Sequence, residues 1–252
     1  MPISVVINTY NAERHLAEVL ETVKDFDEVL VCDMESTDST REIALRYGCR
    51  IVTFEKKNYN IVEPAREFAI HQVTHDWVLV VDADELVTPK LKEYLYQLIE
   101  KPDCPAGVYI PRLNKFMGVY DRSWSRDYQL RFFLHEKAVW PPFIHAVPQV
   151  SGKVERIPYC FHLLHLADET MQQWVLKMNK YTDLEVEKKA RKKYGIGAMV
   201  WRPIWRFFRA YVLKGGFLMG KRGFINATLT AFYQVVLLSK ILENDLRKDE
   251  RK

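Results

Sequence analysis

Asp82, Asp84 and Glu85 follow directly on Trp77-Val78-Leu79-Val80-Val81, an apolar run of strand length. If that strand continues through them, its period of two points Asp82 and Asp84 the same way, and two carboxylates converge. Hard divalent cations such as Mg²⁺ or Mn²⁺ take oxygen ligands, usually one or two carboxylates together with substrate phosphates. The carboxyl end of a parallel strand is where α/β sheets bind ligands, so this is a place for a diphosphate. A solvated acidic turn before the next helix would show the same residues, because two aspartates one residue apart are common by chance.

The elements that must hold this cluster alternate regularly. Ile3-Ser4-Val5-Val6-Ile7 is a nearly continuous apolar run of the kind buried in a parallel sheet, and residues 13–24 carry Leu16, Val19, Leu20 and Val23 at helical spacing. Val29-Leu30-Val31-Cys32 is a second strand, after which Asp38 can cap a helix over 39–47 that ends at Gly48. Ile51-Val52-Thr53-Phe54 leads to a helix opened by Pro64, and the run before Asp82 is the fourth strand. Such alternation predicts a mostly parallel, doubly wound α/β sheet. A helix over 91–99 is followed by Pro102, Pro105 and short strand-like pieces over 107–111 and 129–134. From residue 169 the chain reads as helices, over 169–194, 200–213 and 224–243. The expected organisation is an α/β domain over 1–165 and a helical, basic extension over 166–252.

Three stretches in order, Val5-Val6-Ile7-Asn8-Thr9-Tyr10-Asn11-Ala12-Glu13, Val29-Leu30-Val31-Cys32-Asp33-Met34-Glu35-Ser36-Thr37-Asp38, and Val78-Leu79-Val80-Val81-Asp82-Ala83-Asp84-Glu85, resemble the successive motifs of family 2 glycosyltransferases of the GT-A fold. Asp127-Tyr128-Gln129-Leu130-Arg131-Phe132-Phe133, His145 and Lys177-Met178-Asn179-Lys180-Tyr181-Thr182 make the chain similar to the β-glucosyltransferases of the lipopolysaccharide core. The resemblance implies that Thr9, Tyr10 and Glu13 lie against the nucleotide, that Asp33 accepts a hydrogen bond from the base, and that Arg66 stands near the nucleotide. It also implies that Asp82 contacts the ribose or the metal and that Asp84 ligates the metal. Each has a plainer reading: Asn11 as a helix cap, Asp33 as a strand-end turn residue, Arg66 as a surface partner of Glu63 or Glu67.

Two positions depart from the family pattern. Met34 stands where a small or acidic residue is usual, and His145-Ala146 stands where the core enzymes often have His-Glu. An inverting transfer needs a group to take the acceptor hydroxyl's proton. Asp127 is the first candidate, with His145 and Glu136 as alternatives and an ion pair with Arg126 or Arg131 as its structural reading. Arg131 can neutralise charge on the departing diphosphate. His145 is also a candidate metal ligand, and equally a structural histidine. The implied activity is metal-dependent (Mg²⁺ or Mn²⁺) transfer of a hexose, glucose by resemblance, from a UDP-sugar to a lipid-anchored or lipopolysaccharide-type acceptor. A non-catalytic nucleotide-sugar or glycan-binding module, or a nucleotidyltransferase, would keep much of the same pattern.

Composition bounds these readings. The 252 residues are 48% hydrophobic, ample for a core, and the net charge is only +4. Its distribution is lopsided, with no Asp or Glu between Lys188 and Leu242. Trp201, Trp205, Phe208 and Val212 recur at helical spacing with Arg202, Arg206 and Arg209 one residue behind, the pattern of a helix lying in the interface of an anionic membrane. The same helix could instead pack its aromatic face on the protein. No nucleic-acid recognition module accompanies the charge. The apolar run over 227–238 falls short of a membrane-spanning helix. The start has no signal-peptide pattern, and Cys32, Cys49, Cys104 and Cys160 form no metal or disulfide pattern, so the expected location is the cytoplasm, at the inner face of the membrane. Gly215-Gly216-Phe217-Leu218-Met219-Gly220-Lys221-Arg222 imitates a phosphate loop, but Arg222 stands where Ser or Thr must bind Mg²⁺.

Overall fold

The computed structural model describes residues 1–56, 61–121, 123, 127–143, 146–168, 170–189 and 194–249. The chain divides into two compact units, Met1–Asn114 with Arg126–Ala167, and Lys115–Ser125 with Asp168–Lys252. The division falls two residues past the expected boundary, and the segment 115–125 belongs to the second unit.

In the first unit, β1 (Ile3–Thr9), α1 (Leu16–Val23), β2 (Glu28–Asp33), α2 (Thr40–Arg46), β3 (Arg50–Thr53), α3 (Glu63–Ile70) and β4 (Trp77–Asp82) alternate as the apolar runs dictate. There follow β5 (Glu85–Val87), α4 (Pro89–Ile99), β6 (Gly107–Phe116), whose last two residues lie in the second unit together with β7 (Val119–Tyr120), then β8 (Asp127–Leu134), β9 (Ala138–Val139), β10 (Gln149–Val150), β11 (Val154–Arg156) and β12 (Leu163–His165). The sheet order is β3-β2-β1-β4-β8-β6-β12-β5, with β11 beside β6. The first four strands are parallel, whereas β8 runs antiparallel between β4 and β6.

Period-2 geometry sorts the strand side chains onto two faces. Val5, Ile7, Leu79, Val81, Val108, Ile110 and Phe132 meet α1 and α4 in one buried cluster. Val6, Leu30, Val78, Val80 and Phe133 meet Ala65, Ala69 and Ile70 of α3 in the other. Helices on both faces are why the strands are apolar throughout rather than alternating. Phe132 is fully buried and stacks on Trp77 at 4.9 Å; truncating such a ring to alanine costs about 3 to 5 kcal/mol.

Several helix starts differ from the spacing. α1 begins at Leu16, not residue 13, because Asn11 takes a left-handed φ of 50° and the chain turns there; Asn11 is no helix cap. Asp38 does accept the Thr40 amide at the start of α2 (3.0 Å), and Gly48 closes it with φ 70°.

The second unit is helical: α5 (Met171–Lys189), α6 (Ile196–Phe208), a π-helical turn Arg209–Leu213, and α7 (Lys221–Asp249). α6 starts four residues earlier than its aromatic spacing predicts, so Pro203 lies inside it. Leu237 and Ile241 of α7 bury against Val186 of α5. The apolar run judged too short to span sits inside this 29-residue helix. Over an 18-residue window α7 has a mean hydropathy of 1.4, with 28% of that window buried, so by length and composition alone it could cross a membrane. Lys115 and Phe116 pair with β7 in a hairpin turned by Met117 and Gly118, both at positive φ.

Candidate active site

β1 and β2 are paired in register so that Thr9 lies opposite Asp33, and both loops leave the sheet at its carboxyl edge. The loops are stitched together by short polar side chains. Asn11 Oδ1 accepts the Thr37 amide (2.8 Å), Glu13 Oε2 accepts the Ser39 amide (3.0 Å), and Asp38 Oδ2 accepts the Glu13 amide (3.1 Å). Asp33 is fully buried, accepting from Thr9 Oγ1 (3.1 Å), the Ser36 amide (3.2 Å) and Arg41 Nη1 (3.1 Å). Met34 turns into the core beside Cys32 and Ala65, which accounts for its departure from the family pattern. Above these residues Tyr10 is 48% exposed, with Lys56 Nζ 3.5 Å from its ring centre.

The acidic cluster does not behave as one ligand set. β4 ends at Asp82, a turn carries Ala83 and Asp84, and β5 starts at Glu85. The strand that would have aligned the two aspartates stops between them. Asp82 Oδ1 pairs with Arg66 and Asp82 Oδ2 with Arg131 Nη2 at 2.5 Å. Burial would raise the Asp82 carboxyl, but Arg131, Arg66 and Arg112 outweigh it and hold it well below the usual carboxylate range. Both Asp82 oxygens thus face guanidinium groups. Glu85 is buried, accepts the Asp82 amide (3.0 Å) and pairs with Arg112 (2.9 Å). Arg66, Asp82, Arg112, Gln129, Arg131 and Trp140 line a cavity of about 750 Å³, within the range of about 300 to 1,000 Å³ of ligand sites. Arg66 lies 5.0 Å from the Trp140 ring, and Arg131 is 4% exposed with Nε and Nη1 unpartnered among the described residues.

A chain of hydrogen bonds runs from this cavity to Asp84. Asp127 Oδ2 accepts from Arg112 Nε (3.0 Å) and from Asn114 Nδ2 (3.0 Å), and Gln129 Nε2 donates to Oδ1 (2.7 Å). Asn114 Oδ1 lies 3.0 Å from His165 Nδ1, and His165 Nε2 lies 3.2 Å from Asp84 Oδ2. The carboxylate of Asp127 only accepts, so Asn114 must offer it the amide nitrogen and turn its oxygen to His165. His165 must then donate from Nδ1. Neutral His165 consequently presents a lone pair at Nε2 to the lone pairs of Asp84, and either a proton or a cation has to lie between them. A carboxylate oxygen and an imidazole nitrogen, the latter oriented by a carbonyl on its far side, are a donor pair that suits Mn²⁺ and, less well, Mg²⁺. Among the described residues no group of three His, Cys, Asp or Glu side chains forms a protein-only cage.

Of the residues singled out from sequence, Arg66, Asp82, Asp127 and Arg131 share one cavity wall or its border, and Thr9, Tyr10, Glu13 and Asp33 share the loops at the β1 and β2 ends. His145 lies outside the described residues. Glu136 follows β8, whose Leu134 pairs with Trp77 at the start of β4, so it stands at the sheet end opposite Asp82. The burial that would raise Asp127 is outweighed by Asn114, Arg112 and Gln129, which hold its carboxyl below the usual value. Sequence reading passed over Arg112, Asn114 and His165. The first two alternate along β6, and His165 closes the apolar pair Leu163-Leu164, a period-2 signal that was visible but had no partner in view.

A mixed sheet whose order reverses beside β1, with a polar cleft at the carboxyl ends of its parallel strands, has the switch point at which α/β folds bind their ligands. The profile of glycosyl transferase family 2 matches residues 4–154, and the chain belongs to that family. It is 27% identical over 270 residues to an uncharacterised glycosyltransferase of Rickettsia typhi, covering 97% of this chain and 88% of the relative. It is 25% identical over 256 residues to the lipopolysaccharide core biosynthesis glycosyltransferase LpsC of Rhizobium meliloti, covering 98% and 94%. The fold is GT-A. The mannosyltransferase PcManGT of Pyrobaculum calidifontis, solved with GDP-mannose and Mn²⁺, superposes with a TM-score of 0.59 at 15% identity over 95% of this chain and 86% of that one. S. aureus TarS 1–349, solved with UDP-GlcNAc, gives 0.51 at 15% identity over 93% and 82%.

Proposed function

We propose that this glycosyltransferase moves a hexose, glucose by its likeness to the lipopolysaccharide core enzymes, from a UDP-sugar to a hydroxyl of a lipid-anchored or lipopolysaccharide-type acceptor, with inversion. The observation that carries this reading is the Asp84–His165 pair, a carboxylate and an imidazole 3.2 Å apart at the β4 end of the cleft that must share a proton or a cation. Asp84 and His165 would hold Mn²⁺ or Mg²⁺, which supplies a counter-charge for the donor's diphosphate. The metal and nucleotide in the PcManGT complex support this choice. Asn114 orients His165, and Asp127 fixes Asn114.

The nucleotide sits against Tyr10 at the ends of β1 and β2, where Thr9, Glu13 and Asp33 set the two loops beneath it. Arg66 and Arg131, fixed on Asp82, make the cavity wall donor-rich. Charge that develops on the leaving phosphate is stabilised there without reorganisation. Asp127 takes the acceptor's proton. Its neighbours keep it ionised and therefore ready at neutral pH, and they also weaken it as a base. Proton transfer accordingly runs late, when the acceptor oxygen is already bonding to the anomeric carbon and its proton has become strongly acidic.

Association with the inner face of the cytoplasmic membrane as a peripheral protein follows from such an acceptor. It is supported by the acid-free stretch and by α6, on which Trp201, Trp205 and Phe208 are 64%, 44% and 43% exposed.

Calorimetric titration of UDP-glucose and UDP tests the donor site. Binding is expected with Mn²⁺, and is expected to be lost with EDTA, in Asp84→Ala and in His165→Ala. UDP binding that survives in His165→Ala removes His165 from the site. Release of free UDP in the presence of an acceptor extract separates transfer from binding alone.

A further inference from the structure

The second unit contains a cavity of its own, about 140 Å³, whose polar lining is Arg206, Arg209, Lys214, Asp121, Ser123, Asn226 and Thr230. It is too small for a sugar nucleotide, whose sites run to about 300 Å³ or more. Three cations meet one carboxylate in it, and Asp121 Oδ1 already accepts the Ser123 amide at 2.8 Å. Arg206 acts electrostatically on Glu185 and Tyr233, but no side-chain hydrogen bond or close ion pair holds Arg206, Arg209 or Lys214 among the described residues. Three solvent-exposed cations gathered about one cavity outnumber the single carboxylate that lines it, a surplus of positive charge that draws an anion.

The backbone is built to close this cavity. A β-carbon on Gly223 would lie 1.7 Å from the Gly216 carbonyl oxygen, and one on Gly216 would lie 2.7 Å from that of Ala210. Two glycines thus let the start of α7 press against the π-helical turn, which brings Asn226 and Thr230 opposite the cations. π-helical turns are costly and collect at functional positions. On α6 the arginines occupy the flank between its packed side, marked by buried Pro203, and the exposed stripe Trp201, Trp205, Phe208. An apolar stripe with a cationic cavity at its flank matches a lipid interface, with rings among the acyl ends of the headgroups and cations at phosphate depth.

We propose that this cavity seats the phosphate of an anionic phospholipid headgroup and so fixes α6 at the bilayer surface. This deepens the membrane-surface part of the function proposed above and rests on it, while leaving the donor site independent. The phosphate would be held by Arg206 and Arg209 through paired N–H groups and by Lys214 as a point charge.

The test is flotation of the full-length protein with vesicles of phosphatidylcholine, alone and mixed with phosphatidylglycerol, alongside UDP titration of each variant. The wild type is expected to float with the mixed vesicles only. Arg206→Gln/Arg209→Gln/Lys214→Gln is expected to bind them about a hundredfold more weakly. Asn226→Asp, which places a charge in the cavity without touching α6, should match that loss and covers the case in which the triple variant does not fold. Lys177→Gln/Lys180→Gln/Lys221→Gln, which removes equal charge from outside the cavity, should lose far less; an equal loss would mean diffuse attraction and overturn the proposal. Release of the wild type by inorganic phosphate, beyond that by chloride of equal ionic strength, would make the ligand free phosphate and also overturn it. Variants that lose vesicles but keep UDP separate this inference from the donor reading. A wild type that binds UDP and ignores vesicles sinks the inference and its membrane premise and leaves the donor reading standing.

Discussion

Asp82 and Asp84 sit two positions apart and have different partners, arginines for the first and His165 for the second. Asp82 is the counter-ion of Arg66 and Arg131, both largely buried, so removing it leaves two guanidinium groups without their charge. Asp82→Ala is therefore expected to destabilise the fold by on the order of 3 kcal/mol in urea unfolding. Asp84→Ala, 36% exposed at its side chain, should change the unfolding midpoint little while losing metal-dependent UDP binding. Asp127→Asn keeps the volume and one acceptor of the hydrogen-bond chain but cannot take a proton. It is expected to lower kcat by about 10² to 10⁴ with UDP affinity near that of the wild type, measured as UDP release. A parallel collapse of UDP binding would instead make Asp127 a positioning residue for His165.

Elements explain which parts of the site were legible from sequence. Each α/β step is local, so Thr9, Asp33 and Asp82 could be placed at strand ends from apolar runs alone. Asp84 and His165 are 81 residues apart and meet only because β12 pairs antiparallel with β5 and parallel with β6. No local periodicity records such a pairing, and the antiparallel insertion of β8 between β4 and β6 hid Arg112 and Asn114 in the same way. The sheet's other end has a comparable knot at Glu28, which accepts from Ser4 Oγ, the Thr74 amide and hydroxyl, and Arg50. Burial would raise its carboxyl, but the bonds from Ser4 and Thr74 and the Arg50 partner outweigh it and hold it below its ordinary 4.5. A folded value below the unfolded one stabilises at and above that pH and is lost as pH falls through the folded value. The urea midpoint of the wild type should fall on acidification below about pH 4.5, whereas Glu28→Gln should start lower and show a shallower acid limb.

At the scale of the whole molecule, charge separates along the chain: all carboxylates are absent between Lys188 and Leu242, where the exposed aromatic stripe also lies. Attachment through that surface is peripheral, so high salt or alkaline carbonate without detergent should release the protein from a membrane fraction. A requirement for detergent would mean that α7, long and apolar enough by composition, crosses the bilayer.

The late position of β12 has a kinetic consequence. His165 leaves the ribosome 81 residues after Asp84, and closure of that span must precede the contact between them. On the metal site proposed above, a nascent chain that already has its β1 to β4 core still lacks half of the cation's protein ligands until β12 docks.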